Sequence, residues 1–176
     1  MSALAAATTH AERRSPPAVR GATIADVPAI VALIDRYAGA EVMLPRSAES
    51  VVVALDHFLV AVDAPGAVVG CGALKEYSPS LAEVASLAVS PDSQGHGIGR
   101  MLVERLESLA AMRGIEELFA LTLTAHFFES LGYEVTDRAH FPEKVQRDCT
   151  GCTRRSRCVE TCVRRRLEQQ RLAVAA

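Results

Sequence analysis

No apolar run in this sequence is long enough to span a bilayer, so no membrane-crossing helix is expected. The opening residues, MSALAAATTHAERRSPP, lack both a basic n-region and a strong apolar h-region, and a signal peptide is not expected either. Charge of one sign is not in excess: 19 Lys and Arg stand against 21 Asp and Glu. The composition as a whole therefore does not ask for nucleic acid or anionic lipid. Cysteine is sparse, with five in 176 residues, and its distribution is unlike a secreted disulfide scaffold. A reducing, cytoplasmic location is the expectation, with Cys71 as a small buried hydrophobe. No Gly-Lys-Ser/Thr follows any glycine cluster, which excludes a P-loop.

What is present fits one domain with a real core. The chain is 49% hydrophobic, an ordinary globular balance. Three segments are expected: a disordered leader over 1–17, a folded domain over 18–148, and a Cys- and Arg-rich tail over 149–176 that reads as helical. The leader's small polar residues and Pro16-Pro17 cannot bury enough surface to order it.

Within the domain, a short strand is expected over 18–23. A helix follows, capped by Asp26 with Pro28 in its first turn, apolar at Val27, Ile30, Val31 and Ile34, and ended by Gly39. Ser47 caps a second helix through Leu55. Strands over 58–62 and 67–74 flank the turn residues Ala64-Pro65-Gly66 and form a hairpin. Another strand covers 83–89. Ile98, Met101, Leu102, Leu106 and Leu109 mark the buried face of a long helix that Gly114 stops. A strand over 118–123, a short helix closed by Gly132 and a last strand over 133–135 complete a β-α-α-β-β-β-α-β-α-β order. The class is α/β (α+β), with a mixed, mostly antiparallel sheet flanked by helices.

The segment 94–100 is the most informative. Gly95, Gly97 and Gly99 lie between a strand and the start of an amphipathic helix. Glycine lets backbone approach a ligand closely, and the first amides of a helix have no partner within it. With the helix dipole they make a site for a pyrophosphate. A flexible turn is an equal reading of the spacing alone. A Rossmann site is a poor alternative, because its glycines are spaced differently and open the first strand–helix turn.

The pattern Gln94-x-x-Gly97-x-Gly99, preceded by the strand 83–89 and Pro91, resembles the acetyl-CoA motif of the GNAT acetyltransferase superfamily. The element order over 19–135 matches that fold too. The resemblance implies that the amides of Gln94, Gly95, His96, Gly97, Ile98, Gly99 and Arg100 hold the CoA diphosphate. It also implies that Leu87, Ala88 and Val89 pair with the pantetheine arm, and that an N–H near Leu87 polarises the acetyl carbonyl.

A narrower resemblance points to the acceptor. Leu44-Pro45-Arg46-Ser47, Val69-Gly70-Cys71-Gly72-Ala73-Leu74-Lys75, Glu83 to Val89, Leu121-Thr122-Leu123-Thr124 with Phe127-Phe128, and Phe141-Pro142-Glu143-Lys144-Val145 before Asp148-Cys149 are similar to the short bacterial N-acetylglutamate synthases. These are acetyltransferase domains that lack the amino-acid kinase domain of longer relatives. The resemblance implies glutamate as acceptor, in the first step of arginine biosynthesis. Two carboxylates call for cations, and Arg46 and Lys75 are the strongest candidates, with Lys144, Arg147 and the Thr122 hydroxyl beside them. Glu83, at the mouth of the strand, is the candidate general base. Many members of the superfamily place a Tyr, as acid for the leaving thiolate, where this chain has Phe128, so no acid is assigned. Feedback by arginine is a reasonable expectation.

Cys149-x2-Cys152-x5-Cys158-x3-Cys162 resembles a metal site, for structural zinc or an iron–sulfur cluster, although the linker between its pairs is short. Reduced, unliganded thiols are the alternative. Arg154, Arg155, Arg157, Arg164, Arg165 and Arg166 read as a solvated helix face, ahead of a nucleic-acid site, because the tail offers no aromatic for base stacking. Two rivals to glutamate acetylation stay open: a GNAT enzyme acting on another small amine or a protein amine, and a non-catalytic acyl-CoA sensor with a metal- or nucleic-acid-binding tail. The sequence leaves a homo-oligomer open.

Overall fold

A computed structural model describes residues 17–168. The expected leader, apart from Pro17, lies outside the described residues. The elements in chain order are β1 (Ala18–Gly21), α1 (Val27–Gly39), α2 (Ala48–Val53), β2 (Phe58–Val62), β3 (Val68–Ser78), β4 (Leu81–Val89), α3 (Ile98–Met112), β5 (Glu117–Thr122), α4 (Ala125–Glu129), β6 (Glu134–Thr136), α5 (Pro142–Lys144) and β7 (Thr161–Arg166). Among the described residues no helix is long and apolar enough to cross a membrane.

Seven strands form one sheet in the order β1-β2-β3-β4-β5-β7-β6. Every neighbouring pair is antiparallel except β4 and β5, which run parallel. Helix α3 lies on one face, where Ile98, Leu102, Val103, Leu106 and Ala110 pack with Leu74, Val84 and Leu118. Helices α1 and α2 cover the other, where Ile30, Ile34 and Val51 meet Phe58, Val60 and Cys71. Each fully buried aliphatic side chain contributes about 1.5–3 kcal/mol. These two layers fix the strands on which the site is built.

Two expectations are corrected. Up to residue 168, where the described residues end, the tail is not helical beyond a single 3-10 turn at Arg155–Arg157. Residues Thr161–Arg166 form β7, inserted between β5 and β6, with Ala120 opposite Val163 and Leu121 opposite Cys162. The boundary placed after residue 148 therefore cuts through a single sheet. Nor do the arginines of this strand form a solvated helix face: Arg164 meets Glu117 at 3.4 Å, and Arg165 meets Glu107 at 3.1 Å and the Leu131 carbonyl at 2.5 Å. A buried Val163 and Cys162 outweigh the local charge density, because they complete the sheet's interior. The second correction concerns Asp26. Its carboxylate does not cap α1 but accepts from Thr23 N–H and from both terminal nitrogens of Arg20. Ser47 does cap α2, accepting from Ser50 N–H at 3.2 Å.

Candidate active site

Strands β4 and β5 pair only at Leu81–Glu117, Ala82–Leu118 and Glu83–Phe119. Beyond Glu83 each goes its own way: β4 stays with β3 to Val89, and β5 stays with β7 to Thr122. The splay opens a wedge in the middle of the sheet with Glu83 at its apex. A bulge sits on β4 just past this point, since Cys71 faces Ala88 while Ala73 faces Ala85. Ser86 adopts φ 52°, a left-handed conformation rare for a side-chain-bearing residue. Such a bulge re-aims the strand's peptide groups, here at Leu87.

At the far end of the wedge β4 runs into the glycine loop. Gly95 and Gly97 have φ of 75° and 79°, and the turn depends on both. Gly97 occupies the N-cap of α3, so no side chain caps the helix, and no acidic residue stands in its first turn. The first helical hydrogen bond runs from Met101 N–H to the Gly97 carbonyl. The amides of Ile98, Gly99 and Arg100 thus lack helical partners, and Arg100 adds a cation where helices usually place an anion. The arrangement suits an external diphosphate. The His96 ring turns back to the Gln94 carbonyl at 2.8 Å, so this residue offers its amide rather than its imidazole. Ile98 anchors the turn in the core, and a Cβ at Gly99 would sit 3.3 Å from the Phe127 ring.

Sequence reasoning missed Tyr37, which holds this loop. Its hydroxyl donates to the Val89 carbonyl and receives Gln94 Nε2 at 2.7 Å. It lies on α1, one helical step past Ile34, so its ring packs with the core while its hydroxyl reaches the site.

The acceptor side is built around Tyr77, also missed. Its hydroxyl lies 2.8 Å from Glu83 Oε2 and also contacts Asp148 Oδ2. Lys144 Nζ reaches both Glu83 oxygens at 2.9 Å and Asp148 Oδ2 at 2.9 Å. Lys75 Nζ reaches both Asp148 oxygens at 2.7 Å. Three cations, Lys75, Lys144 and Arg147, approach the Tyr77 ring, with Arg147 Cζ 5.0 Å from its centre. Burial, with Glu83 and Asp148 beside it, pushes the Tyr77 phenol far above its ordinary pKa, so it remains a protonated donor. The expected ligands Lys75 and Lys144 are thus engaged by carboxylates of the chain itself. Glu83 is only 5% exposed, and both its oxygens are occupied. Asp148 was legible as the residue four after Lys144 on a helical turn, and Tyr77 as two after Lys75 on β3.

Arg46, in the α1–α2 loop, donates through Nε to Ser86 Oγ at 3.1 Å, which brings it to the bulge. Arg147 donates to the Glu76 carbonyl at 3.1 Å. Thr122, at the end of β5, accepts from Thr124 N–H at 2.9 Å and closes its own turn. Phe128 is buried edge-on to Tyr133, so it keeps its place in the core and brings no acid.

The cysteines are not gathered as a metal centre. Among the described residues no three of His, Cys, Asp and Glu stand together as a ligand set. Cys162 is buried in β7, while Cys149, Cys152 and Cys158 lie on partly exposed turns and all are free thiols. The Arg138 guanidinium interacts electrostatically with Cys149 and Cys158, a cationic neighbour that does not favour a metal ion on the same thiols.

A model of the acetyltransferase (GNAT) domain matches residues 54–135. An uncharacterized N-acetyltransferase of Chlorobaculum tepidum is 43% identical over 142 residues, covering 81% of this chain and 91% of that protein. The amino-acid acetyltransferase of Mycobacterium tuberculosis is 39% identical over 127 residues, covering 71% of this chain and 72% of its own length. Among solved structures, a Mycobacterium tuberculosis protein in complex with CoA superimposes with a TM-score of 0.77 and 31% identity, over 86% of this chain and all of the other (100%). The N-acetylglutamate synthase of Neisseria gonorrhoeae, complexed with coenzyme A and N-acetyl-glutamate, superimposes with a TM-score of 0.79 and 30% identity. The match covers 88% of this chain and 36% of that longer one. With its wedge, its uncapped glycine turn and these relatives, the chain belongs to the GNAT acetyltransferases and resembles their N-acetylglutamate synthase branch.

Proposed function

We propose that this protein transfers the acetyl group of acetyl-CoA to the α-amine of L-glutamate, by direct attack in a ternary complex. The observation that carries the reading is the placement of cations along the wedge: Lys75, Lys144 and Arg147 gather around Tyr77 beside its apex, and Arg46 reaches the bulge at Ser86 farther along β4. A substrate with two carboxylates matches this surplus of cations, and a neutral amine does not. The names of the relatives point the same way.

Acetyl-CoA, when bound, supplies an activated thioester. The free amides from Gly97 to Arg100 would hold its diphosphate, and the unpaired side of β4 from Leu87 to Val89 would receive its pantetheine arm. The Leu87 N–H would face the thioester oxygen and stabilise the negative charge that develops there when the amine attacks. Arg46 and Lys75 would orient the acceptor's carboxylates, with Arg147 and Thr122 at the rim. Glu83 would take the proton of the ammonium through a water, since its own oxygens are filled by Lys144 and Tyr77.

The test is a panel of amino acids and amines with acetyl-CoA, following thiol release. A clear preference for glutamate over glutamine and neutral amino acids supports the reading. Equal rates across the panel, or turnover of peptide amines alone, would remove glutamate from it.

A further inference from the structure

The carboxylate of Asp148 spans two ammonium groups from distant parts of the chain. Each of its oxygens lies 2.7 Å from Lys75 Nζ on β3, and Oδ2 also meets Lys144 Nζ at 2.9 Å and the Tyr77 hydroxyl. An acceptor carboxylate would make the same contact if Lys75 is its ligand. We infer that Asp148 is a specificity-determining residue: it fills the subsite of the acceptor's side-chain carboxylate in the free protein, and only an acceptor bearing that second carboxylate displaces it. This inference rests on the reading above, in which an acidic amino acid is the substrate.

The two ion pairs of the cluster are unequal in the way the inference needs. Lys144 and Glu83 lie deeper, with side chains 13% and 7% exposed. Lys75 and Asp148 are 30% and 24% exposed, at the solvent side of the same cluster. The outer pair can therefore open while the inner one holds. When Asp148 leaves, Lys144 keeps Glu83 as its counter-charge, whereas Lys75 is left without an anion. A partly desolvated ammonium in that state favours a replacement carboxylate and gains nothing from a neutral group.

The backbone carrying Asp148 suits an exchangeable part. Residues Val145–Cys149 form a π-helical turn, a wide and uncommon geometry, directly after the three-residue α5. Asp148 is also a persistent competitor. Burial alone would raise its pKa, but hydrogen bonds from Lys75, Tyr77 and Lys144 outweigh that and hold it well below the usual carboxylate range. It thus remains an anion at any working pH, and the competition does not vary with acidity in that range.

The discrimination follows from displacement. An acceptor whose subsite is already filled binds with an apparent affinity reduced by the fraction of protein that is open. Glutamate brings a carboxylate to replace Asp148. Glutamine, whose side chain is a neutral amide, and a simple amine bring no anion to this subsite, so Lys75 has no exchange partner and the closed state persists.

The inference is tested by steady-state kinetics of the full chain at saturating acetyl-CoA, comparing the protein with its Asp148→Asn variant. The expected result is a glutamate KM lowered roughly three- to tenfold, a larger change than that in kcat. The ratio of glutamate to glutamine turnover should fall as well. An unchanged or raised glutamate KM would show that Asp148 is a structural tie and overturn the inference. Should the variant fail to fold, hydrogen exchange of the unaltered, CoA-loaded protein decides the matter. Amides over 142–149 should exchange faster when glutamate is added, and equal or slower exchange overturns the inference. If glutamate is acetylated but these changes are missing, only the role of Asp148 falls. If no acidic amino acid is acetylated, the proposed function falls with it.

Discussion

Lys75 and Glu83 stand directly opposite one another on β3 and β4, yet each takes its partner from the segment that follows α5 or forms it: Lys75 from Asp148, Glu83 from Lys144. The cross-strand pair is thus opened into a four-charge ring closed by Tyr77. The ring ties residues 142–149 to the apex of the wedge. It makes the C-terminal part of the chain a component of the site.

Glu83→Gln should lower kcat by about 10²–10⁴-fold if the carboxylate is the base. It should also destabilise the fold by about 1.5–3 kcal/mol, because Lys144 loses the more buried of its two counter-charges and keeps only Asp148. The double variant Glu83→Gln with Lys144→Met should recover much of the stability and none of the rate. Denaturant titration beside thiol-release kinetics separates the two effects, and recovered rate in the double variant would argue against Glu83 as base.

Gly97→Ala places a Cβ in open space but at φ 79°, so its cost is conformational and not a clash. That cost is about 1–2 kcal/mol. The expected outcome is CoA affinity weakened roughly tenfold by calorimetry, through displaced first-turn amides. Unchanged affinity would place the diphosphate elsewhere.

Arg46→Ala should raise the glutamate KM with little change in kcat if its contact is equal in ground and transition states. The KM for acetyl-CoA should stay where it is. A fall in kcat alone would instead assign Arg46 to the bulge at Ser86, which it also touches.

Asp26 offers a pH-dependent stability that is independent of catalysis. Hydrogen bonds from Arg20 and Thr23 hold its carboxyl well below the usual range, against a smaller opposing effect of burial. A folded pKa below the unfolded one means that the contribution is complete above about pH 4 and is lost progressively as pH falls below it. Asp26→Asn should therefore cost about 1 kcal/mol at neutral pH, a modest figure because Arg20 is partly exposed. The gap between variant and parent should close in acid, as read by melting curves from pH 7 to pH 3.

The cysteines should divide by burial when the native protein is alkylated near pH 8. Burial pushes the Cys71 thiol up to about 12, and burial likewise raises Cys162 to about 11. Both should resist iodoacetamide while Cys149, Cys152 and Cys158, on partly exposed turns, react. Mass spectrometry of the digests reads the pattern. Alkylation of Cys71 at the rate of the others would contradict the burial on which the prediction stands.

Much of the fold was legible in residues that act locally. The strand at 58–62, the α3 stripe from Ile98 to Leu106, the Ser47 cap and the glycines after α3 and α4 each declare themselves within a turn or two of chain. The glycine loop was legible for the same reason, since its left-handed turns and uncapped helix are written in consecutive residues. β7 was not. Its arginines look like a solvent face until Glu107 and Glu117 are brought beside them. Tyr37 and Tyr77 were not singled out: the place of Tyr77 two residues after Lys75 was readable, but nothing near either residue in sequence says what its hydroxyl will meet.

The sequence by itself determined where helices and strands begin, and that α3 starts on a glycine with no capping side chain, because these depend on backbone preference and short-range hydrogen bonding. Only the tertiary structure decided which charges face one another. Lys75, Glu83, Lys144 and Asp148 are separated by up to 73 residues, and their pairing follows from strand order and the placement of residues 142–149. Coulomb attraction is blind to position in the chain and acts only once folding has fixed the distances, so the ring at the apex of the wedge emerges from packing.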